Sequence, residues 1–280
     1  MTIRDEDKNR DVSIVIPLFN QLEYTRRCLE SLLVDTTWVK EIILINNGSS
    51  DGTAEYLATL KGITVITNPE NMGCAAAWNQ GVKAASTHWI AILNNDIIAS
   101  PDWLHGLLES AVRESLDIVS PAFREGDYNY DIAIYSREFT DCMGKVSRTG
   151  IAQGVCFMVK RRVFEAVGFF DENFRIGQFE DADFFRRAKD AGFRLGTTGR
   201  SFIHHFGSVT QNSIRRSRDA RPYEAENRAY FRRKWRLTWW KRFLQRRSTK
   251  LQIFFWRTKE KVLYGHSLIE KWIGGRLRYY

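Results

Sequence analysis

Short apolar runs alternate with dense polar clusters along roughly the first 120 residues. Val12 to Ile16 (VSIVI) ends at Pro17, Glu41 to Ile45 (EIILI) breaks at Asn46-Asn47-Gly48-Ser49-Ser50-Asp51-Gly52, and Ile63 to Ile66 gives way to Asn68-Pro69-Glu70-Asn71. Trp89 to Leu93 ends in Asn94-Asn95-Asp96, and Asp117 to Val119 begins a fifth run. Each run is short, rich in β-branched residues and bounded by turn formers, which predicts buried strands. Between them, residues 22–34 carry leucines at helical spacing, a helix is expected after Gly52 through Leu57, residues 73–85 are rich in alanine, and Pro101 starts a further helix. This alternation predicts an α/β fold with a mostly parallel sheet flanked by helices on both faces. Ligands of such sheets bind at the carboxyl ends of the strands, where the polar clusters Pro17–Asn20, Asn46–Asp51, Asn68–Gly73 and Asn94–Asp96 lie.

Beyond this point the pattern loosens. Residues 120–150 read as an irregular, variable stretch, Val155 to Val159 as a strand and Arg161 to Val167 as a short helix. Residues 179–191 open with acids and continue as a helix stopped by Gly192; Phe202 to Phe206 reads as an edge strand, and the chain beyond Tyr223 as helix. No apolar stretch approaches the ~20 residues of a membrane span, and the charged start, Met1 to Asp11, does not read as a signal peptide. The four cysteines are scattered without a CxxC pair, which argues against a disulfide framework or a zinc site and fits a reducing, cytoplasmic setting.

Charge divides the chain. Residues 1–199 hold 21 Lys+Arg and 28 Asp+Glu, whereas residues 200–280 hold 21 Lys+Arg and 5 Asp+Glu. We therefore expect a body over residues 1–214 and a basic, aromatic-rich helical extension over residues 215–280. Arginines such as Arg215, Arg216, Arg218, Arg232, Arg233, Arg242, Arg246 and Arg247 alternate there with Trp235, Trp239, Trp240, Phe243, Phe254, Phe255 and Trp256. Such a segment suits an anionic membrane surface, helices packed on the body, or a homo-oligomer interface. Nucleic acid is disfavoured because no nucleic-acid module accompanies it.

Several chemistries are excluded by missing motifs: there is no GxxxxGK[ST], no GxGxxG after the first strand, no GxSxG and no HExxH. What remains is acidic. Asp96, flanked by Asn94 and Asn95, offers oxygen ligands to a divalent cation, although a plain turn before the Pro101 helix explains the same residues. Glu180-Asp181-Ala182-Asp183 offers a general base, although acids at a helix start are also favoured by the macrodipole. His204 and His205 alternate on a strand, so at most one faces a given site.

Taken together and in order, VSIVIPLFNQ, EIILINNGSSDGT, NPENMGCAAAWNQGV, WIAILNND, GFFDENF with FEDADFFRRAKDAGFRL, and HHFGSVT resemble glycosyltransferase family 2, enzymes of the GT-A, Rossmann-like fold. The resemblance covers about residues 12–210 and implies inverting transfer of a sugar from a nucleotide-diphosphate donor. It implies that Pro17, Phe19 and Asn20 line the nucleoside pocket, with Asn46 and Asp51 at the base, and that Gly73 and Asn79 hold the ribose or sugar. Asp96, with Asn94 and Asn95 beside it, would end a DxD-like motif for Mg²⁺ or Mn²⁺, completed by His204 or His205. Asp181 would be the base, with Glu180 supporting it. The donor would be a UDP- or dTDP-sugar, and the acceptor a saccharide, lipid-linked molecule or protein in cell-envelope polysaccharide synthesis. The protein is then expected to be cytoplasmic, peripheral on the inner face of the membrane. Two departures weaken parts of the pattern: Asn46 stands where many relatives carry an acid, which leaves base recognition to Asp51 alone, and Asn94 stands where a full DxD motif has its first acid, which lowers the expected metal affinity. They motivate a rival reading, a non-catalytic nucleotide-sugar or glycan binder; a membrane scaffold acting through the tail is another.

Overall fold

The computed structural model describes residues 11–207, 209, 210, 214 and 223–280. The charged start, residues 1–10, and the stretch 215–222, which carries Arg215, Arg216 and Arg218 and the expected boundary of the basic extension, lie outside the described residues.

The strands are β1 (Val12–Leu18), β2 (Val39–Asn47), β3 (Thr64–Asn68), β4 (Trp89–Leu93), β5 (Ile97–Ala99), β6 (Ile118–Glu125), β7 (Ser147–Thr149), β8 (Cys156–Lys160), β9 (Leu195–His205), β10 (Ile269–Ile273) and β11 (Arg276–Tyr279). The helices that matter for the site are α1 (Leu22–Leu32), α2 (Thr53–Thr59), α3 (Cys74–Ala84), α4 (Trp103–Arg113), α5 (Ile132–Met143), α6 (Arg161–Val167), α7 (Glu180–Asp190), α8 (Tyr223–Lys234) and α9 (Trp239–Tyr264). The sheet runs β11-β10-β6-β8-β4-β1-β2-β3, with β9 alongside β6 and the short β5 and β7 paired to β9. β1 to β4 are parallel, as the apolar runs predict, and β8 is inserted antiparallel between β4 and β6.

Both faces of the sheet are covered, which is why its central strands are apolar throughout. Ile14, Ile16 and Leu18 pack with Leu29, Leu32, Leu104 and Leu107 on one face, whereas Val15, Ile43 and Ile45 pack with Trp78, Val82, Phe164 and Phe184 on the other. The alanines of α3 bring it close to the sheet: a Cβ on Gly81 would stand 2.2 Å from Val15 Cγ1. A third cluster joins Phe139 of α5 to Phe202 and Leu268.

Three expectations are corrected. Residues 120–150 are not irregular: β6 and α5 occupy most of them, with Asp131 capping α5 through Ala133 and Ile134 N–H. Phe202 to Phe206 is no edge, because β9 pairs with β6, β5 and β7. Nor is the chain helical to its end: residues 269–279 form a hairpin whose β10 runs parallel to β6. Gly274 and Gly275, with φ of 59° and 74°, supply the two positive-φ positions that a tight two-residue hairpin requires.

The chain end is fixed by a buried ion pair. Arg148 on β7, 1% exposed, donates to both Glu260 oxygens (2.8 and 2.7 Å), to Ser267 Oγ (2.9 Å) and to the Tyr280 carbonyl (2.8 Å). Glu260 is the one buried residue of the 26-residue α9. Glu260→Ala is expected to lower stability by about 3–5 kcal/mol, because it strands a buried guanidinium; Glu260→Gln, which keeps part of the bonding, should lose less. Urea unfolding of the two variants checks this, and a loss under about 1 kcal/mol for the alanine would contradict the buried-charge argument.

Candidate active site

A cleft of about 390 Å³ opens where β1, β2 and β4 end. Pro17 lies near the end of β1 and Phe19 follows it, Asn47 closes β2, and Asn94, Asn95 and Asp96 leave β4. The far wall comes from Gln153, Gly154 and Val155 before β8, from Ile176 and Gln178, and from Glu180 and Asp181 at the start of α7. His205, the last residue of β9, reaches in beside Asp96, and Thr210 and Ile214 also border the space.

Two charged groupings face each other across it. On one side His205 Nε2 stands 3.4 Å from Asp96 Oδ1, and its Nδ1 stands 3.3 Å from Glu125 Oε2. Lys271 from β10 closes the row, donating to Glu125 Oε1 at 2.7 Å. Burial pulls the imidazole down, but the Asp96 and Glu125 carboxylates prevail and hold it up at about 9. Glu125 is drawn down to about 2, by its bond to His205 against burial and then by Lys271.

On the other side, Glu180 is buried and Asp181 half-buried. Burial raises the Glu180 carboxyl, and the neighbouring Asp181 raises it further; the Cys74 thiol donates to it and acts the other way. Burial likewise raises Asp181, opposed by the Ala182 N–H that donates to Oδ1 at 2.7 Å. Gly154 makes room for this carboxylate, since a Cβ there would stand 2.0 Å from Asp181 Oδ2. Four buried polar atoms on the cleft wall lack a hydrogen-bond partner: Asp96 Oδ1, His205 Nε2, Glu180 Oε2 and Trp78 Nε1. Such atoms are costly unless a ligand completes them.

The loop before α7 is strained into shape. Ile176, Gln178 and Phe179 have φ of 62°, 77° and 78°, and a branched residue in that region needs external support. Support comes from α8: Asn227, 1% exposed, accepts from Arg175 N–H (3.0 Å) and donates to the carbonyls of Arg175 (2.9 Å) and Gly177 (2.8 Å). Cys74 N–H donates to the Ile176 carbonyl at 2.8 Å from the opposite side.

Of the residues singled out from sequence, Pro17, Phe19, Asn94, Asn95, Asp96, Glu180, Asp181 and His205 line the cleft. The others are built into its supports. Asn20 accepts from Ser50 N–H at 2.7 Å, and Asn46 accepts from Ser49 N–H at 3.1 Å. Asp51 accepts from Leu22 N–H at 3.0 Å and from Thr53 Oγ1 at 2.6 Å, so it caps α1 and α2 rather than facing the cleft. Gly73, at φ 88°, lets the chain pass the Ile176 backbone. Asn79 points into the body, where it accepts from Phe170 N–H and donates to the Phe170 carbonyl and Glu172; its expected contact with ribose or sugar is not met by this side chain. His204 turns to the opposite face of β9 and meets Tyr130 Oη at 3.0 Å, with Tyr128 and Phe206 around it. Asn47, Asn71, Cys74, Trp78, Gln153 and Gly154 were not singled out; Asn47 and Asn71 sit inside polar clusters that were, whereas Gly154 carries no local signal.

Asp96 Oδ1 and His205 Nε2, on the wall and facing each other at 3.4 Å without a hydrogen bond, offer a divalent cation one carboxylate oxygen and one imidazole nitrogen, the latter only in the neutral imidazole. Among the described residues no group of three or more His, Cys, Asp or Glu is arranged to hold a metal ion, so a bound ion would draw further ligands from water or a bound substrate. Asn95 spends its amide on Thr25 Oγ1 at 3.0 Å.

Comparison with known proteins agrees with this architecture. A model of the family described as Glycosyl transferase family 2 matches residues 13–180. Glycosyltransferase AglE of Haloferax volcanii is 28% identical over 194 residues, covering 66% of this chain and 63% of its own. Putative glycosyltransferase EpsH of Bacillus subtilis is 34% identical over 145 residues, 51% of this chain and 38% of its own. The chain thus spans less than two thirds of the length of either relative. In fold it is similar to GalNAc-T7, solved with UDP, GalNAc and Mn2+ (TM-score 0.57, 16% identity, 70% of this chain and 44% of that one). It is also similar to residues 1–349 of S. aureus TarS (TM-score 0.56, 14% identity, 73% and 63%).

Glu180 gives a thermodynamic test. A carboxyl raised by burial contributes stability while protonated and loses it as pH rises through the raised value. Glu180→Gln is therefore expected to melt about 2–4 °C above the wild type near pH 9, with the gap narrowing as pH falls and closing near pH 4, below the unfolded value of 4.5, read by thermal unfolding. A gap of equal size at both pH values would contradict the assignment.

Proposed function

The chain belongs to glycosyltransferase family 2, and on that premise we propose that it moves a sugar from a nucleotide-diphosphate donor to an acceptor hydroxyl, with inversion and with Asp181 as general base. The observation that carries the reading is the opposition of two charged groups across one cleft: a raised, half-buried carboxylate on one wall and the Asp96–His205 pair on the other.

The chemistry follows from the groups present. Asp181 takes the acceptor proton as its oxygen attacks the anomeric carbon, and its raised affinity for a proton suits that task near neutral pH. Gly154 lets the carboxylate lie against the loop and leaves its outer edge for the acceptor. Glu180, buried beside it and raised by burial and by Asp181, offers Oε2 to a sugar hydroxyl. The Trp78 indole N–H is a free donor on the same cleft wall. Phe19 and the Asn71 amide nitrogen are offered to the base, because Asp51 and Asn46 are committed to the turns and Asn47 spends its amide on Asn71, Gly73, Asn68 and Met72. A uracil or thymine carbonyl suits such a donor, which accommodates UDP- and dTDP-sugars alike.

Asp96 and His205 would hold Mg²⁺ or Mn²⁺ together with the donor diphosphate; the ion supplies positive charge against that on the leaving group. The fold neighbour solved with UDP, GalNAc and Mn2+ supports this reading, as does the placement of Asp96 Oδ1 and His205 Nε2 on the cleft wall; His205 would ligate once it released the proton that Asp96 and Glu125 hold on it. Glu125 and Lys271 orient His205 from behind.

Asp181→Asn is expected to lower kcat by about 10²–10⁴ and leave donor binding within a factor of about three. The wild-type kcat should fall on the acid side along a limb above the ordinary aspartate value of about 3.9. Turnover assays with a UDP- and dTDP-sugar panel, paired with calorimetric donor titration, check both. Retained turnover in the variant would remove Asp181 from the mechanism, and donor binding without turnover in wild type across glycan, lipid-linked and peptide acceptors would favour a sugar-nucleotide binder.

A further inference from the structure

α7 carries Glu180 and Asp181 in its first turn, yet no side chain caps that turn. The residue before it, Phe179, has no side-chain oxygen to offer the free N–H groups that open a helix. The direction of the turn therefore rests on the loop in front of it, residues 175–179. Ile176, Gln178 and Phe179 hold positive φ there, a conformation that such residues keep only where surrounding contacts impose it.

The loop is clamped from two sides. From α3, the Cys74 N–H donates to the Ile176 carbonyl at 2.8 Å. From α8, one amide engages most of the remainder: Asn227 Oδ1 accepts from the Arg175 N–H at 3.0 Å, and its Nδ2 donates to the carbonyls of Arg175, Gly177 and Gln178 at 2.9, 2.8 and 3.3 Å. Tyr223 and Asn227 are the two buried residues of α8, a helix that is otherwise polar. A buried amide is costly unless its partners are in place, and here they are all backbone groups of this loop. Asn227 does not line the cleft, whereas Ile176 and Gln178, within the segment it holds, do. The same part of the chain also grips α7 directly. Lys234 and, just past α8, Trp235 Nε1 donate to the fully buried Asp183, both at 2.9 Å, and the Phe231 ring lies 5.4 Å from that of Phe179.

We propose that Asn227 is the positioning residue for Asp181: its amide fixes the backbone of residues 175–178, and through it the first turn of α7 and the cleft wall that Ile176 and Gln178 form. The clamp on the loop stands on the geometry alone; its consequence for sugar transfer rests on the glycosyl-transfer reading. In transfer and in hydrolysis alike the bond from the anomeric carbon to the diphosphate breaks, and the new bond goes to an acceptor oxygen or to a water oxygen, which gives up a proton. A loosened wall misplaces the base and admits water, so the clamp sets the balance between the two outcomes.

The test uses the full chain and three variants. Asn227→Ala removes the amide. Asn227→Asp keeps its shape and acceptor oxygen but turns a second oxygen toward three carbonyls. Tyr230→Phe removes an α8 bond to Asp171, at 2.9 Å, and none to the loop. The first readout needs no substrate. Burial raises the Glu180 carboxyl, with Asp181 beside it and the Cys74 thiol donating to it, so Glu180→Gln is expected to melt about 2–4 °C above its parent near pH 9. Added to either Asn227 variant, the same substitution should gain less than about 1 °C, because a loosened loop lets water reach Glu180; in Tyr230→Phe the gain should stay. The second readout is UDP release from UDP-glucose and UDP-N-acetylglucosamine, in water and with a saccharide panel. Both Asn227 variants should lose transfer by at least about tenfold more than hydrolysis, with the UDP thermal shift kept. A full melting gain in both Asn227 variants would overturn the proposal. So would a fall of transfer and hydrolysis by one common factor, the mark of a purely structural loss. Wild-type behaviour in Asn227→Asp would reduce the residue to packing and likewise overturn it. Absence of both a UDP thermal shift and turnover in the wild type counts against the glycosyl-transfer reading, and the melting gain then decides the clamp by itself.

Discussion

Removing ionisable groups from water while leaving one atom of each without a hydrogen bond is the constraint around which this molecule is organised. Asp96, His205 and Glu180 are all below a tenth exposed, yet each leaves one polar atom without a hydrogen bond on the cleft wall. Such groups drift toward neutrality or toward solvent unless the surroundings hold them. The fold does the holding by position: Asp96 leaves a central strand, His205 ends another, and Glu180 opens a helix packed on the sheet through Phe184. The stability surrendered at these atoms is recovered when a ligand supplies the missing partners, so the same feature that weakens the free protein makes the cleft selective for polar ligands.

The end of the chain belongs to this arrangement. Asn227 holds the strained backbone at residues 175–178, Asp183 accepts from Trp235 Nε1 and Lys234, and Lys271 reaches Glu125 behind His205. Both sides of the cleft are therefore supported from residues beyond 223. The support on one side is hydrogen bonding to carbonyls in a loop with positive φ; on the other it is a row of alternating charges, Asp96, His205, Glu125 and Lys271. Disturbing α8 or β10 would reach the site without touching a cleft residue.

The central sheet was legible in the sequence because strands covered on both faces are written as uninterrupted apolar runs, and VSIVI, EIILI and WIAIL are such runs. The carboxyl-end clusters marked the cleft for the same topological reason. Legibility failed where a side chain's direction decides its role. Asn79 sits on an alanine-rich helix, and nothing local tells whether its amide meets a ligand or, as here, the Phe170 backbone. Parity on β9 required the two histidines to diverge, but only packing against Tyr128 and Tyr130 sends His204 away and leaves His205 beside Asp96. Asp51 reads as a ligand contact, and the structure places its carboxylate on the Leu22 N–H and the Thr53 hydroxyl. The closing hairpin did carry a signal, Gly274-Gly275 between strands of alternating character, which the surrounding basic helix masked.

The account stands or falls on whether the cleft takes a nucleoside diphosphate. Thermal unfolding of the full chain with UDP, dTDP, GDP and ADP, each with and without Mn²⁺, measures this directly, because a ligand that binds only the folded state raises Tm by mass action. A rise with UDP or dTDP that grows with Mn²⁺ and vanishes in an Asp96→Asn protein is the predicted result. A Tm unmoved by all four nucleotides, in a sample that melts cooperatively, would contradict it.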